Sequence, residues 1–160
     1  MKKHTITTSF TVYSELDELE ASVRSLMEKA GEARDKAYAP YSKFRVGAAV
    51  LLENGSVVTG NNQENACYPS GLCAERVAVF NAGSNHPGVK ILKIAITAGS
   101  DNYVVETPVP PCGACRQSLV EYEIKQESPV EIYFMGAKGS IMKSPSIQNL
   151  LPLTFDSSFL

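Results

Sequence analysis

Val46-Gly47-Ala48-Ala49-Val50-Leu51-Leu52-Glu53-Asn54-Gly55-Ser56-Val57-Val58-Thr59-Gly60 is the stretch on which the reading of the fold rests. Residues 46 to 52 are small, branched and apolar and read as one strand, and Ser56 to Gly60 reads as a second. Between them Asn54-Gly55 supplies residues that tolerate positive φ, so the segment predicts a tight β-hairpin. Toward the C terminus comes Asn61-Asn62-Gln63-Glu64-Asn65, a polar loop too dense in amides to be mere punctuation. Pro69-Ser70-Gly71 then leads into a helix that carries Cys73, predicted to end near Ala82 with Gly83 in a left-handed conformation. Beyond it lie an apolar strand over 91–97, a stiff proline loop over 108–111, a helix from Cys112 to about Ile124 and a strand over 130–135. A turn at 136–139, a short returning strand at 141–143 and a last short helix over 146–151 complete this half.

Toward the N terminus, Ser14 before Glu15 and Leu16 reads as a helix N-cap. Leu16, Leu19, Val23, Leu26 and Ala30 form one face at helical spacing, and the helix is predicted to reach Ala37 before Pro40 stops it. Tyr38 to Phe44 is an aromatic-rich loop. Residues 1–13 alternate Ile6, Thr8, Phe10 and Val12, which fits an extended arm, an edge strand or disorder. The alternation of strand and helix favours right-handed crossovers and a largely parallel half-sheet, to which the hairpin adds antiparallel strands. The expectation is an α/β fold, three-layer α/β/α, with a mixed five-stranded sheet in one domain spanning residues 1–160.

One hundred and sixty residues at 44% hydrophobic content suffice for one such domain. A net charge of −2, with lysines and arginines scattered singly, gives no basic stripe for a phosphate backbone, so nucleic acid is not expected as a partner. No segment is long and apolar enough to cross a bilayer, and the start shows no secretory apolar stretch, so no membrane association and a cytoplasmic location are expected. In that setting four cysteines point to reduced thiols rather than disulfides.

Three of the cysteines form a pattern. Cys73-Ala74-Glu75-Arg76 sets a thiol two residues from a carboxylate, and Pro111-Cys112-Gly113-Ala114-Cys115 follows about forty residues later. Catalytic zinc commonly takes three protein ligands and leaves a fourth position open, so Cys73, Cys112 and Cys115 read as ligands and Glu75 as a proton shuttle. Cys73 and Cys112 both sit at predicted helix starts, where free N–H groups and the dipole favour thiolates. Residues two apart on a helix point to different sides, so Cys73 and Glu75 can share a target only if it lies beyond the helix end. Three thiolates on zinc leave a net charge of about −1, and Arg76 and Arg116 could each donate N–H bonds to the sulfurs. Two alternatives stand beside this reading. A structural zinc knot would need Cys67 as fourth ligand, but five residues separate it from Cys73, a poor fit to structural spacing. A redox Cys112-x-x-Cys115 would leave Cys73 and Glu75 unused. Cys67 itself reads as a small core residue, and His4 and His86 as surface residues.

With these motifs assembled, the chain resembles the small homotetrameric, zinc-dependent cytidine deaminases that act on free nucleosides. The resemblance runs from about Ala37 to Phe155, through Tyr38-Ala39-Pro40-Tyr41-Ser42-Lys43-Phe44, Gly60 to Pro69, Cys73 to Arg76, Pro111 to Gln117 and Leu150-Leu151-Pro152. It implies one zinc per chain on Cys73, Cys112 and Cys115, with Glu75 moving a proton from water to the pyrimidine while attack at C4 expels ammonia. It further implies that Asn62 and Glu64 bind the ribose 3'-hydroxyl, that the main chain near Ala66 and Ala74 contacts the base, and that Phe44 packs on it. Phe155 matches a C-terminal phenylalanine that the family places in a neighbouring subunit's site. The expected partner is a small nucleoside, and the expected assembly a homotetramer. Two departures stand out: Pro110 where the family usually has serine, and Gln63 where it has an apolar residue. Related deaminases acting on blasticidin S, guanine or tRNA adenosine keep the zinc signature but differ in the Asn-x-Glu-Asn-Ala loop.

Overall fold

The computed structural model describes all residues from Met1 to Leu160. Its elements in chain order are β1 (Thr11–Tyr13), α1 (Ala21–Asp35), β2 (Phe44–Leu52), β3 (Val57–Asn61), α2 (Ala74–Asn85), β4 (Ile91–Ser100), α3 (Gly113–Lys125), β5 (Glu131–Met135), β6 (Ile141–Ser144) and α4 (Ile147–Leu150). The strands form one mixed sheet in the order β1-β6-β5-β4-β2-β3. The fold is the expected three-layer α/β/α, but the sheet has six strands rather than five. The sixth is β1, at the end of the N-terminal arm, which pairs antiparallel with β6 through Thr11, Val12 and Tyr13. Three residues are too short for a period-two pattern to declare itself, so its partner rather than its composition makes it a strand. The half-sheet is also less parallel than strand-helix alternation suggests, because β4 and β5 alone are parallel and every other pairing is antiparallel.

The hairpin forms as predicted in position, with Val50 opposite Val58 and Leu51 opposite Val57. Its turn differs in detail. Leu52 N–H donates to Ser56 C=O, and of the two turn residues Gly55 alone has positive φ, +82°. Asn54 instead accepts the Ser56 N–H through Oδ1 at 3.0 Å. The three-residue loop so formed needs one left-handed residue, not the two of a two-residue turn.

Strand residues alternate between two cores. Ala48, Val50, Ile94, Ile96, Ile132 and Phe134 face α2 and α3, while Ala49, Ala95, Tyr133 and Met135 face α1. The helix start read at Ser14 is a separate 3₁₀ turn over Leu16–Glu18, and α1 begins only at Ala21 after extended backbone at Leu19. Ser14 offers its main-chain N–H to Glu18 Oε1 at 3.2 Å rather than capping with its hydroxyl. At its far end α2 runs through Gly83 to Asn85. Gly83 is therefore not the left-handed stop. A Cβ there would meet the Tyr122 hydroxyl at 2.8 Å, so its bareness serves the packing of α2 on α3.

Two further close approaches set the frame of the site. At Gly60, on edge strand β3, a Cβ would meet Ala78 N at 2.5 Å and Ala74 O at 2.7 Å, so α2 rests its first turns directly on the strand backbone. Behind α3, the buried carboxylate of Glu123 accepts N–H bonds from Val130 (2.8 Å), Ile147 (2.7 Å) and Gln148 (3.0 Å), joining α3 to β5 and to the start of α4.

Candidate active site

Cys73 is the N-cap residue of α2 and Cys112 that of α3, both with extended backbone, and neither side chain caps its own helix. Both sulfurs are therefore free to face outward from the helix ends. Cys115, one turn into α3, is fully buried. The Sγ atoms of Cys73, Cys112 and Cys115 all lie within 4.8 Å of one another, and no other cysteine, histidine or carboxylate joins the cluster. Tetrahedral zinc with Zn–S bonds of about 2.3 Å sets its sulfurs ~3.8 Å apart, so this soft three-donor set fits zinc with a fourth position open.

The thiols are electrostatically unequal. The Cys115 thiol donates to Cys73, and Arg76 Nη2 lies 3.8 Å from Cys73 Sγ; against the opposing cost of burial, these bring the Cys73 pKa down to about 5. Cys115 is pushed up, first by giving its hydrogen bond to Cys73, then by burial and by the nearby Glu75 charge. The guanidinium of Arg76 also keeps a buried Nε without a partner. Glu75, in the first turn of α2, is 5% exposed, and desolvation raises its pKa, reinforced by the negative charge of Cys73. A carboxyl so placed holds a proton more readily than one in water.

A cleft of 430 Å³ opens beside Cys73 and Arg76 and is lined also by Asn62, Glu64, Tyr41 and Tyr68. Glu64 Oε2 accepts the N–H groups of Tyr41 (2.9 Å) and Ser42 (3.3 Å). Desolvation is the largest influence on its pKa and acts upward, but the bonds from Ser42 and Tyr41 together outweigh it, and the carboxylate is held below its ordinary value.

The sequence model for the cytidine and deoxycytidylate deaminase zinc-binding region matches residues 21–128, which contain all three cysteines and Glu75. The chain belongs to this deaminase family. It is 40% identical over 139 residues to a cytidine deaminase of Sporosarcina psychrophila, covering 86% of this chain and 94% of that protein. The crystal structure of cytidine deaminase from Burkholderia pseudomallei superposes with a TM-score of 0.71 at 39% identity, over 82% of this chain and 97% of that one. The corresponding structure from Mycobacterium tuberculosis gives 0.66 at 34%, over 86% and 99%.

Set against the deaminase pattern, the remaining site residues divide. Asn62 and Glu64 lie in the cleft beside Cys73 and Arg76. Asn62 is also a staple, since its Oδ1 accepts Val46 N–H at 2.7 Å and its Nδ2 donates to Phe44 C=O at 2.9 Å. Phe44 opens β2 half-buried, Ala66 is exposed in the loop, and Ala74 is buried at the first position of α2. Phe155 is not brought to this cleft; it is exposed in the C-terminal tail, stacked on Phe159 at 5.7 Å between ring centroids, with its carbonyl held by Gln117 Nε2 at 2.9 Å. Two readings are corrected. Cys67 is exposed, not a core residue, because it sits in an Asx turn whose Asn65 Oδ1 accepts its N–H at 2.8 Å. Arg116 does not serve the sulfurs, because Nε donates to Pro111 C=O and Nη1 to Leu150 C=O, each at 2.9 Å. The sequence reading also missed the tilted Tyr41–Tyr68 pair, 6.2 Å between centroids, at the mouth of the cleft. Both tyrosines lie within quoted motifs, but nothing in their spacing brings them together.

Proposed function

We propose that the protein deaminates free cytidine and 2'-deoxycytidine by hydrolysis, giving uridine or 2'-deoxyuridine and ammonia, as a zinc-dependent enzyme of pyrimidine salvage. The observation that carries this reading is the buried carboxyl of Glu75, two residues along α2 from one of three clustered thiols. Zinc held by Cys73, Cys112 and Cys115 would supply the Lewis acidity that lets water act as a nucleophile near neutral pH. Glu75 takes a proton from the attacking water, passes it to the ring nitrogen beside C4, and serves again as the amine leaves. Its raised pKa suits a group that must both accept and release that proton. One water is consumed for each ammonia released, and the water oxygen becomes the new C4 carbonyl oxygen.

Substrate choice follows from the loop. Glu64 commits Oε2 to two main-chain N–H groups, leaving Oε1 to accept from a ribose 3'-hydroxyl, while the second N–H of Asn62 Nδ2 can donate to the same sugar. An ionised carboxylate cannot donate, and within a polymer the 3'-oxygen has no hydrogen and carries a phosphate whose charge would oppose Glu64. Phe44 is assigned to the base, with the main chain at Ala66 and Ala74 as its polar contacts and Arg76 as the sulfurs' charge partner. The 160 residues act as one domain in a cytoplasmic homotetramer, with Phe155 completing a neighbouring subunit's site. The test compares deamination of cytidine, cytosine and a single-stranded oligonucleotide with an internal cytosine, for the native protein and Glu64→Ala. Turnover of the nucleoside alone, lost in Glu64→Ala, is expected; comparable rates on the oligonucleotide, or an undiminished Glu64→Ala, would overturn the assignment.

A further inference from the structure

The N-terminal arm and α4 both lie outside residues 21–128, yet a continuous set of hydrogen bonds ties them to the second cysteine loop. Two residues before β1, Ser9 N–H donates to Asn149 Oδ1 at 3.2 Å and Ser9 C=O accepts from Asn149 Nδ2 at 2.9 Å. A side-chain amide thus stands in for the next rung of the sheet. The same Nδ2 donates to the fully buried Ser144 Oγ at 2.8 Å, and Asn149 N–H donates to Ser146 Oγ, the cap of α4, at 3.0 Å. The next residue, Leu150, accepts Arg116 Nη1 on its carbonyl, and Arg116 Nε holds the carbonyl of Pro111. That carbonyl belongs to the peptide that joins Pro111 to Cys112. Across a 400 Å³ cavity Thr8 and Phe10 of the arm face Pro108 and Pro110, so the link between arm and loop runs through α4 and Arg116.

Cys112 has most need of such support. Of the three clustered cysteines it alone is exposed, so its sulfur is aimed by its backbone and not by packing. We propose that Arg116 and Asn149 are positioning residues through which the N-terminal arm fixes the Pro111–Cys112 peptide and so sets the metal affinity of the three-cysteine centre. This rests on the zinc reading of that centre. Groups that orient metal ligands typically change affinity about 10- to 100-fold when removed.

The test is a zinc competition titration against a chromogenic chelator on the full-length protein, with the cobalt-thiolate absorption band as a second readout. Arg116→Met is expected to weaken zinc by about 10-fold or more and to shift the cobalt band, with Arg116→Lys recovering part of the affinity by holding the Pro111 carbonyl alone. Asn149→Leu should weaken it by a smaller factor, and the double variant should match Arg116→Met, because Asn149 acts through that residue. Leu26→Ala, which opens the α1 core on the opposite face of the sheet, controls for lost stability and should leave zinc affinity unchanged. Additive effects in the double variant, unchanged affinity in Asn149→Leu, or an equal loss in Leu26→Ala would overturn the proposal. If Arg116→Met fails to fold, Asn149→Leu against Leu26→Ala decides. A native protein that binds no zinc would remove the metal reading itself and the proposal with it, whereas zinc bound equally by native protein and Asn149→Leu would remove the proposal alone.

Discussion

Glu75→Gln separates the chemical role of the carboxyl from its structural cost. The amide fills the same volume at a site 5% exposed, so no cavity opens in the first turn of α2, and none of the clustered thiols is altered. Zinc content should therefore be retained. An amide cannot carry a proton, and removing a general acid-base group typically costs ~10²- to 10⁴-fold, or about 3 to 5 kcal/mol of transition-state stabilisation. Stability should move the other way. Burial raises the Glu75 pKa in the metal-free fold, so the native state holds this proton more tightly than the unfolded chain, whose value is 4.5. Stability from this group is complete below the unfolded pKa and is lost as pH rises through the higher folded value. As pH rises above the unfolded value the native protein therefore loses stability at this buried group, a loss that Glu75→Gln does not suffer. Thermal unfolding of chelator-treated protein from about pH 4 to about pH 8 should show the variant more stable at the upper end and indistinguishable at the lower. Loss of cytidine absorbance measures turnover. Near-native turnover would remove Glu75 from the mechanism, and a stability difference that is independent of pH would refute the desolvation argument.

Gly60→Ala would drive a Cβ into the backbone of Ala74 and Ala78. Overpacking of this kind costs about 1–3 kcal/mol, so a thermal midpoint lowered by ~2–12 °C is expected, with weakened zinc binding as α2 lifts from β3. Glu123→Ala strands three main-chain N–H groups at about 1–3 kcal/mol each, and chemical denaturation should show a loss of ~3 kcal/mol or more. Zinc uptake should release protons at neutral pH, because Cys115 keeps its proton until metal displaces it, whereas Cys73, at about 5, is already ionised. Affinity should rise with pH through neutrality and fall more steeply once pH drops below about 5 and Cys73 protonates. Calorimetry in buffers of different ionisation enthalpy counts those protons, and uptake without release would contradict the assignment.

What the sequence makes legible is what local chemistry determines. The hairpin around Asn54-Gly55, the helix begun by Cys73 and the helix begun by Cys112 each combine a residue pattern with a turn or start signal, and each starts within a residue or two of its expected place, although the Cys73 helix runs on past its expected end to Asn85. The misses are long-range. β1 is a strand only because β6 is beside it, and nothing in Thr11-Val12-Tyr13 names that partner. Gly83 looks like a helix end but is empty for the sake of Tyr122, thirty-nine residues on. Within the site, the cysteine and glutamate spacing was legible because metal chemistry restricts residue types narrowly. The partners of Arg116 were not, because the carbonyls of Pro111 and Leu150 leave no mark in side-chain identity.

The end of β3 joins the two halves of the site. Gly60 meets α2 backbone to backbone and so fixes the height at which Cys73 and Glu75 are presented. Two residues later Asn62 is clamped to β2 at Phe44 and Val46, and Tyr38 bridges from its N–H to Asn62 C=O at 3.0 Å and from its C=O to Glu64 N–H at 2.9 Å. The helix that carries Cys73 and Glu75 and the loop proposed to hold the sugar are therefore indexed to one run of five residues, Gly60 to Glu64, that begins in β3 and continues past its end at Asn61. Reaction at C4 requires the ring to sit at a fixed distance from the metal while the sugar is gripped elsewhere, and misplacement of about 1 Å can cost ~100-fold in rate. A substrate loop on a separate element would have to hold that distance through packing alone. Here it is set by covalent chain running along a sheet edge.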